Sequence, residues 1–430
     1  MSEENYETRQ LKLWKEWYLA IQGFFYFAQG VAMGAIFLLP VFMQDVLNVE
    51  SERSITIQSL IMIPWYIKLL FGLLSDNVSF KKFGRRKPYI LIAGILSIGG
   101  WFTITIFKTF NAGFVIVGIL LSLSVALSDA IIDSIAVDIT PKKRRGWMQG
   151  VGWGGRGAGT ALAGFVLGIL ISKIGWFYSY LIPGSLLIVG CIIALLYKEP
   201  EIFDKDKIST FKWENYKTEF TKGSTWLATL FMILSGAGIA IISTYSTFLN
   251  ESVGVSIEGI GLGVTYFAIG QIIGAVTMGL FGQYLPLFWV LAANSVLYVG
   301  VIASIIFVPL SNLTILYLVV AIVGAINGGY EATQMRIGME YSQGPIAGTM
   351  YNWYMSISNI GQITLGAIII AQLADPLGGY QYSMQSASVF LLLALIPAFF
   401  LVRKLKQRSL SEDKTQDEDF ELSKDEEITP

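Results

Sequence analysis

Five ionisable residues stand inside long apolar runs of this 430-residue sequence: Lys68, Asp129, Asp133, Arg156 and Glu331. A charge at the centre of a bilayer costs about 2.5–3.5 kcal/mol even on the mildest insertion scale, so each needs a partner, an aqueous cavity or a function. Asp129 and Asp133 are four apart and share one face of a helix. One reading makes the group a fixed brace, in which one aspartate neutralises Arg156 and the other pairs with Lys68. The other reading gives it chemistry. Lys68 and Arg156 face a central cavity and bind an anionic group of a solute, with Asp129 beside them, and a carboxylate takes up a coupling proton. The sequence has no histidine, so the proton carriers within the membrane must be carboxylates; Asp133 and Glu331 are the candidates. Tyr26, Gln29, Asn352 and Asn359, and after them Tyr245, Asn327 and Gln362, supply amides and phenols for the same cavity, or else hydrogen bonds between helices.

The elements that must hold these residues are membrane helices. Apolar residues make up 54% of the chain and charged residues 14%, against about 25% charge in a soluble domain. The mean hydropathy is +0.59. Stretches of roughly 20 apolar residues, enough to cross about 30 Å of hydrocarbon, recur about twelve times. They fall near 17–39, 55–75, 88–107, 112–137, 147–171, 175–197, 225–248, 259–281, 286–308, 313–335, 345–371 and 382–402. Measured from the nearer ends of their spans, Asp129 and Arg156 lie about 16 Å deep and Lys68, Asp133 and Glu331 roughly 10–12 Å deep. The five charges therefore sit at similar depth. Small residues from Gly152 to Gly159, with Gly164, predict tight backbone packing of the fifth span.

Basic residues orient the spans, because cytoplasmic loops are enriched in Lys and Arg. Clusters fall at Arg9/Lys12/Lys15, at Lys81/Lys82/Arg85/Arg86/Lys87, at Lys142 to Arg145, across 198–222 and at Arg403/Lys404/Lys406/Arg408, which are alternate loops. Both termini are thus expected in the cytoplasm of a multi-pass protein of the cell membrane. The polar start leads directly into a full-width apolar span and does not read as a cleavable signal.

The chain divides into a six-helix bundle over 1–197, a cytoplasmic linker at 198–224, a second six-helix bundle over 225–403 and a tail at 404–430 expected to be disordered. In the linker, Phe211, Trp213, Tyr216 and Phe220 alternate with charges at near-helical spacing, which predicts an interfacial helix. The halves repeat. Asp133, Gly146 and Gly150 fall on Glu331, Gly344 and Gly348 at one offset, and Asp45 falls on Glu251 just beyond the first span of each half. Two parallel six-helix repeats with a site near the midplane between them describe the major facilitator fold, an all-α integral membrane architecture.

Several segments resemble a known family. Pro64-Trp65-Tyr66-Ile67-Lys68, Gly72-Leu73-Leu74-Ser75-Asp76 and Arg85-Arg86-Lys87-Pro88-Tyr89 are similar to the second-to-third helix signature of the folate-biopterin transporter family, a branch of the major facilitator superfamily. Ser128-Asp129-Ala130-Ile131-Ile132-Asp133 and Met148-Gln149-Gly150-Val151-Gly152-Trp153-Gly154-Gly155-Arg156 resemble its fourth and fifth helices. The resemblance implies a folate- or pterin-like solute. Relatives with similar paired aspartates import muropeptides, siderophores or acetyl-CoA, and those solute classes stay open.

Between the second and third spans, Gly72 is placed to admit a close helix neighbour, and Asp76 stands within reach of Arg85 and Arg86. Charge-assisted hydrogen bonds there would hold one conformer and break in another, as a cytoplasmic gate. With one cysteine, Cys191, and no histidine, thiolate and imidazole metal sites and a disulfide framework are excluded, as are the commonest enzyme bases. The sequence therefore reads as a monomeric secondary transporter with no enzyme activity, cofactor, metal or nucleic-acid partner. It works by alternating access in the lipid bilayer on a small, anionic organic solute, with proton coupling and symport. A channel or a non-transporting receptor on the same fold is the alternative.

Overall fold

The computed structural model describes residues 14–77, 86–141, 144–198, 213–342 and 347–426. All of its regular structure there is helical, and ten helices are long and apolar enough to cross a membrane. Helix α1 (Tyr18–Asp45) carries Pro40 without a break. The expected second span is interrupted: α2 (Ser51–Ile61), α3 (Ile63–Tyr66) and α4 (Lys68–Asn77) follow one another with non-helical Met62 and Ile67 between them. Pro64 is the cause at the first break. Its ring removes an amide donor and crowds the preceding turn, so a new helix starts with proline in its first turn. Helix α5 (Lys87–Trp101) and α6 (Ala112–Ile139) follow. The side chain of Asn111 opens α6 by accepting a hydrogen bond from the Phe114 amide at 3.2 Å.

Helix α7 (Arg145–Ala194) covers both the fifth and sixth expected spans and turns within itself at Gly175, where φ is +81°. Only glycine takes that backbone without strain, so the sharp change of direction sits where the two apolar runs meet. The second part of the chain contains α8 (Trp213–Thr221), α9 (Gly223–Gly238), α10 (Ile241–Phe248), α11 (Ile257–Phe281), α12 (Leu287–Ser304), α13 (Leu313–Glu340), α14 (Ala347–Asn359), α15 (Ala367–Leu377) and α16 (Tyr380–Glu426). Two π-helical stretches interrupt it, Leu249–Val253 after α10 and Ile360–Gly366 between α14 and α15.

Backbone contact through glycine holds the helices together. A Cβ on Gly30 of α1 would stand 2.0 Å from the Arg156 carbonyl oxygen of α7, and one on Gly274 of α11 would stand 1.7 Å from the Ala325 carbonyl oxygen of α13. Helices α7 and α11 cross with a hypothetical Gly261 Cβ 2.1 Å from the Gly164 oxygen. The fifth span is thus packed backbone to backbone, as its small residues predict. Gly72 differs from expectation: among the described residues no atom lies within 4 Å of where its Cβ would be, so it has no close helix neighbour there.

The linker segment forms α8 as its aromatic spacing predicts, with Phe211 outside the described residues. Phe220 meets Trp353 edge-on at 5.3 Å between ring centroids, and the Trp226 indole donates to the Phe220 carbonyl at 2.8 Å, which pins α8 to α9 and α14. The backbone of α16 stays helical to Glu426, past residue 404 where disorder is expected. Growth from an existing helix needs no new nucleus, which favours continuation.

Candidate functional site

Three helices deliver the amino-terminal part of the charged group. Tyr26 and Gln29, one turn apart on α1, face Asp133 and Asp129, one turn apart on α6. The Tyr26 hydroxyl donates to the Asp133 carboxylate, and the Gln29 amide donates to Asp129. Lys68, the first residue of α4, forms an ion pair with Asp129. The break at Ile67 thus puts the ammonium group at the start of a new helix, directed at α6. Asp129 is 2% exposed and is neutralised in place.

Arg156 differs from Lys68. Among the described residues it makes no ion pair or hydrogen bond with a side chain. Its guanidinium lies 5.6 Å from the ring centre of Trp65 on α3 and 5.2 Å from that of Trp153 on its own helix. Lys68 lies 5.1 Å from the same Trp65 ring. The ring quadrupole attracts each cation without neutralising it. The expected brace is therefore built on the Lys68 side and not on the Arg156 side.

Glu331 on α13 is held by neutral donors. Gln271 of α11 donates to it at 2.7 Å, and Gln362 of the π-helical stretch donates at 3.4 Å. Arg156 is close enough to act electrostatically on Asp129, Asp133 and Glu331, so the five charges do form one group spanning both parts of the chain.

The other candidates are distributed around it. Asn352 and Asn359 are half-buried on α14, which leads into the π-helical stretch carrying Gln362. Asn327 is fully buried and accepts from the Tyr298 hydroxyl at 3.4 Å, and Tyr245 is buried against Phe267. Asn327 also lies against Glu331, while Tyr245 packs between helices. Of the gate residues, Arg86 is 5% exposed at the start of α5, while Arg85 and the side chain of Asp76 lie outside the described residues. Trp65, Trp153 and Gln271 were not singled out by sequence reasoning. The Trp65-to-Lys68 spacing of three and an uncharged amide at 271 in an apolar run were the available signals.

The sequence profile described as Major Facilitator Superfamily matches residues 20–363 and 225–426. The Folate-biopterin transporter of Synechocystis sp. is 30% identical over 158 residues, which are 35% of this chain and 31% of that protein. The chain is thus matched to about a third of that relative's length. Among solved structures, the nucleoside transporter NupG, as a mutant, aligns with a TM-score of 0.69 at 14% identity, covering 90% of this chain and 99% of that one. A bacterial homolog of the human lysosomal transporter Spinster, inward-facing and unoccupied, aligns with a TM-score of 0.65 at 15% identity, covering 94% and 98%. At such identities the two structures speak for the fold, and the profile speaks for descent; together they place the chain in the major facilitator superfamily of membrane transporters.

Proposed function

We propose that the chain is a proton-coupled secondary active transporter, a symporter that moves a small anionic organic solute by alternating access. The observation that carries this reading is the Arg156 guanidinium, held between two tryptophans with no carboxylate within 4.0 Å among the described residues. A partly buried cation among membrane spans without a counter-ion is costly, and an anionic solute group supplies one. Lys68 and Asp129 cancel, and protons on Asp133 and Glu331 leave the group with one positive charge, which one anion balances. Solute and protons then load together.

Tyr26, Gln29, Asn352 and Asn359 complete the solute contacts in this reading, and the resemblance to folate-biopterin transporters points to a folate- or pterin-like ring beside Trp65. With α2 to α4 counted as one broken span and α7 divided at Gly175, the chain has twelve spans, six on each side of the 198–224 linker. It works as a monomer with both termini in the cytoplasm, and Asp76 with Arg85 and Arg86 forms the cytoplasmic gate.

Thermal-shift screening of the purified protein against anionic metabolites, folate and pterin carboxylates included, identifies the solute. Arg156→Gln should fold and lose that shift. Asp133→Asn and Glu331→Gln should each abolish accumulation driven by a proton gradient in proteoliposomes while sparing solute exchange, which releases no proton. Full concentrative uptake by both carboxylate variants would overturn the choice of proton carriers.

A further inference from the structure

The two interrupted spans meet each other. The Ser59 hydroxyl of α2 donates to the Ile363 carbonyl at 2.6 Å, and the Thr364 hydroxyl donates to the Tyr66 oxygen at 2.8 Å. The Tyr66 hydroxyl in turn donates to the Ser59 carbonyl at 2.9 Å, closing a polar seam between α2–α3 and the π-helical stretch 360–366. A π turn displaces its carbonyls from the regular helical pattern, so they are available to an outside donor such as Ser59. The same stretch carries Gln362, one residue before Ile363, whose amide donates to Glu331 at 3.4 Å. The groups facing Glu331 are Gln271 from α11, Gln362 from the π turn, Asn327 from its own helix, the Tyr298 phenol from α12 and, as the neighbouring charge, Arg156 from α7.

We propose that Gln362, Thr364, Tyr66 and Ser59 are positioning residues that link the state of Glu331 to the closure of the first part of the chain on the second. The inference rests on Glu331 changing charge during the cycle. A charged Glu331 holds the Gln362 amide by a charge-assisted bond and keeps the π turn in register with Ser59 and Tyr66. A neutral Glu331 weakens that hold, and the seam opens. The break in α2–α3 and the π turn in the opposite span are then one device, since each supplies the backbone groups that the other binds.

Double electron–electron resonance on the purified full chain tests this. Spin labels at Lys108→Cys and Phe307→Cys in a Cys191→Ser background sit at exposed positions in the two parts of the chain, Lys108 in a bend and Phe307 at the end of a short 3-10 turn. Thr364→Val should raise the ratio of long to short distances about fivefold, the loss of one partly buried hydrogen bond. Thr364→Ser, which keeps the hydroxyl, should leave it unchanged. Tyr66→Phe should shift it in the same direction, and the Tyr66→Phe/Thr364→Val pair no further than the larger single effect. Gln362→Leu and Glu331→Gln should move it likewise. Identical distributions for Thr364→Val and Thr364→Ser overturn the seam, and wild-type distributions for Gln362→Leu and Glu331→Gln overturn its link to Glu331. If Glu331→Gln moves the distances yet still accumulates solute, the seam stands, and the charge change at Glu331 on which its link to the cycle rests is overturned.

Discussion

Lys68 and Arg156 share the Trp65 ring, yet their substitutions should have opposite consequences. Lys68→Gln leaves a buried Asp129 without its counter-charge and should destabilise the protein by about 3–5 kcal/mol. Adding Asp129→Asn should restore most of the lost thermal stability, as read by unfolding in detergent. Arg156→Gln strands no carboxylate, so its unfolding temperature should stay near that of the wild type. Arg156→Lys keeps the charge but replaces a flat, weakly hydrated group with a compact ammonium that cannot lie between Trp65 and Trp153. Solute affinity should fall about tenfold or more in that variant, measured by titration calorimetry.

At the level of elements, the glycine contacts give a graded test. Gly274→Ala puts a methyl where the Ala325 carbonyl already is and should cost about 1–3 kcal/mol by forcing α11 and α13 apart. Gly72→Ala meets no described atom within 4 Å and should be neutral or stabilising, since alanine is the better helix former by about 1 kcal/mol. Thermal unfolding of the two variants side by side reads the difference. The contrast also marks what was legible in the sequence. Small residues at 152–159 announced close packing because nothing else explains glycine density in a helix, whereas Gly72 stood in a similar apolar context with no sign that its side of α4 faces no described neighbour. Membrane charges were legible as a group because hydrocarbon makes each one exceptional. Their pairing was not, because depth along a helix follows from residue count while the direction around its axis depends on breaks such as Ile67. Trp65 escaped notice for the same reason: its partner Arg156 is ninety-one residues away in sequence and reaches it through the packing of α7 on α1.

Across the whole molecule, contacts join the two parts of the chain near one end of the helices. Gln44 donates to Thr247 at 3.2 Å, Asn250 donates to Gln44 at 2.8 Å and to Asp45 at 3.2 Å, and the Ser246 hydroxyl donates to the Phe37 carbonyl at 2.6 Å. The loop charges predict that this end faces away from the cytoplasm. Cysteines introduced at Ser2 and Ser411 should accordingly resist a membrane-impermeant label in intact cells, and react once the cells are permeabilised. The uncommitted Arg156 has one further consequence, which concerns voltage. In the proposed symport, with Asp133 and Glu331 deprotonated, the empty group holds Lys68 and Arg156 against Asp129, Asp133 and Glu331 and carries one net negative charge, whereas the group loaded with one anion and two protons is neutral. The loaded step is then indifferent to the membrane potential, and the return of the empty carrier feels it, by up to about 2.3 kcal/mol per 100 mV if the charge crosses the whole field. Solute added to proteoliposomes on a solid-supported membrane should draw an inward positive current, and clamping the potential should change the rate of turnover while leaving solute binding as it is.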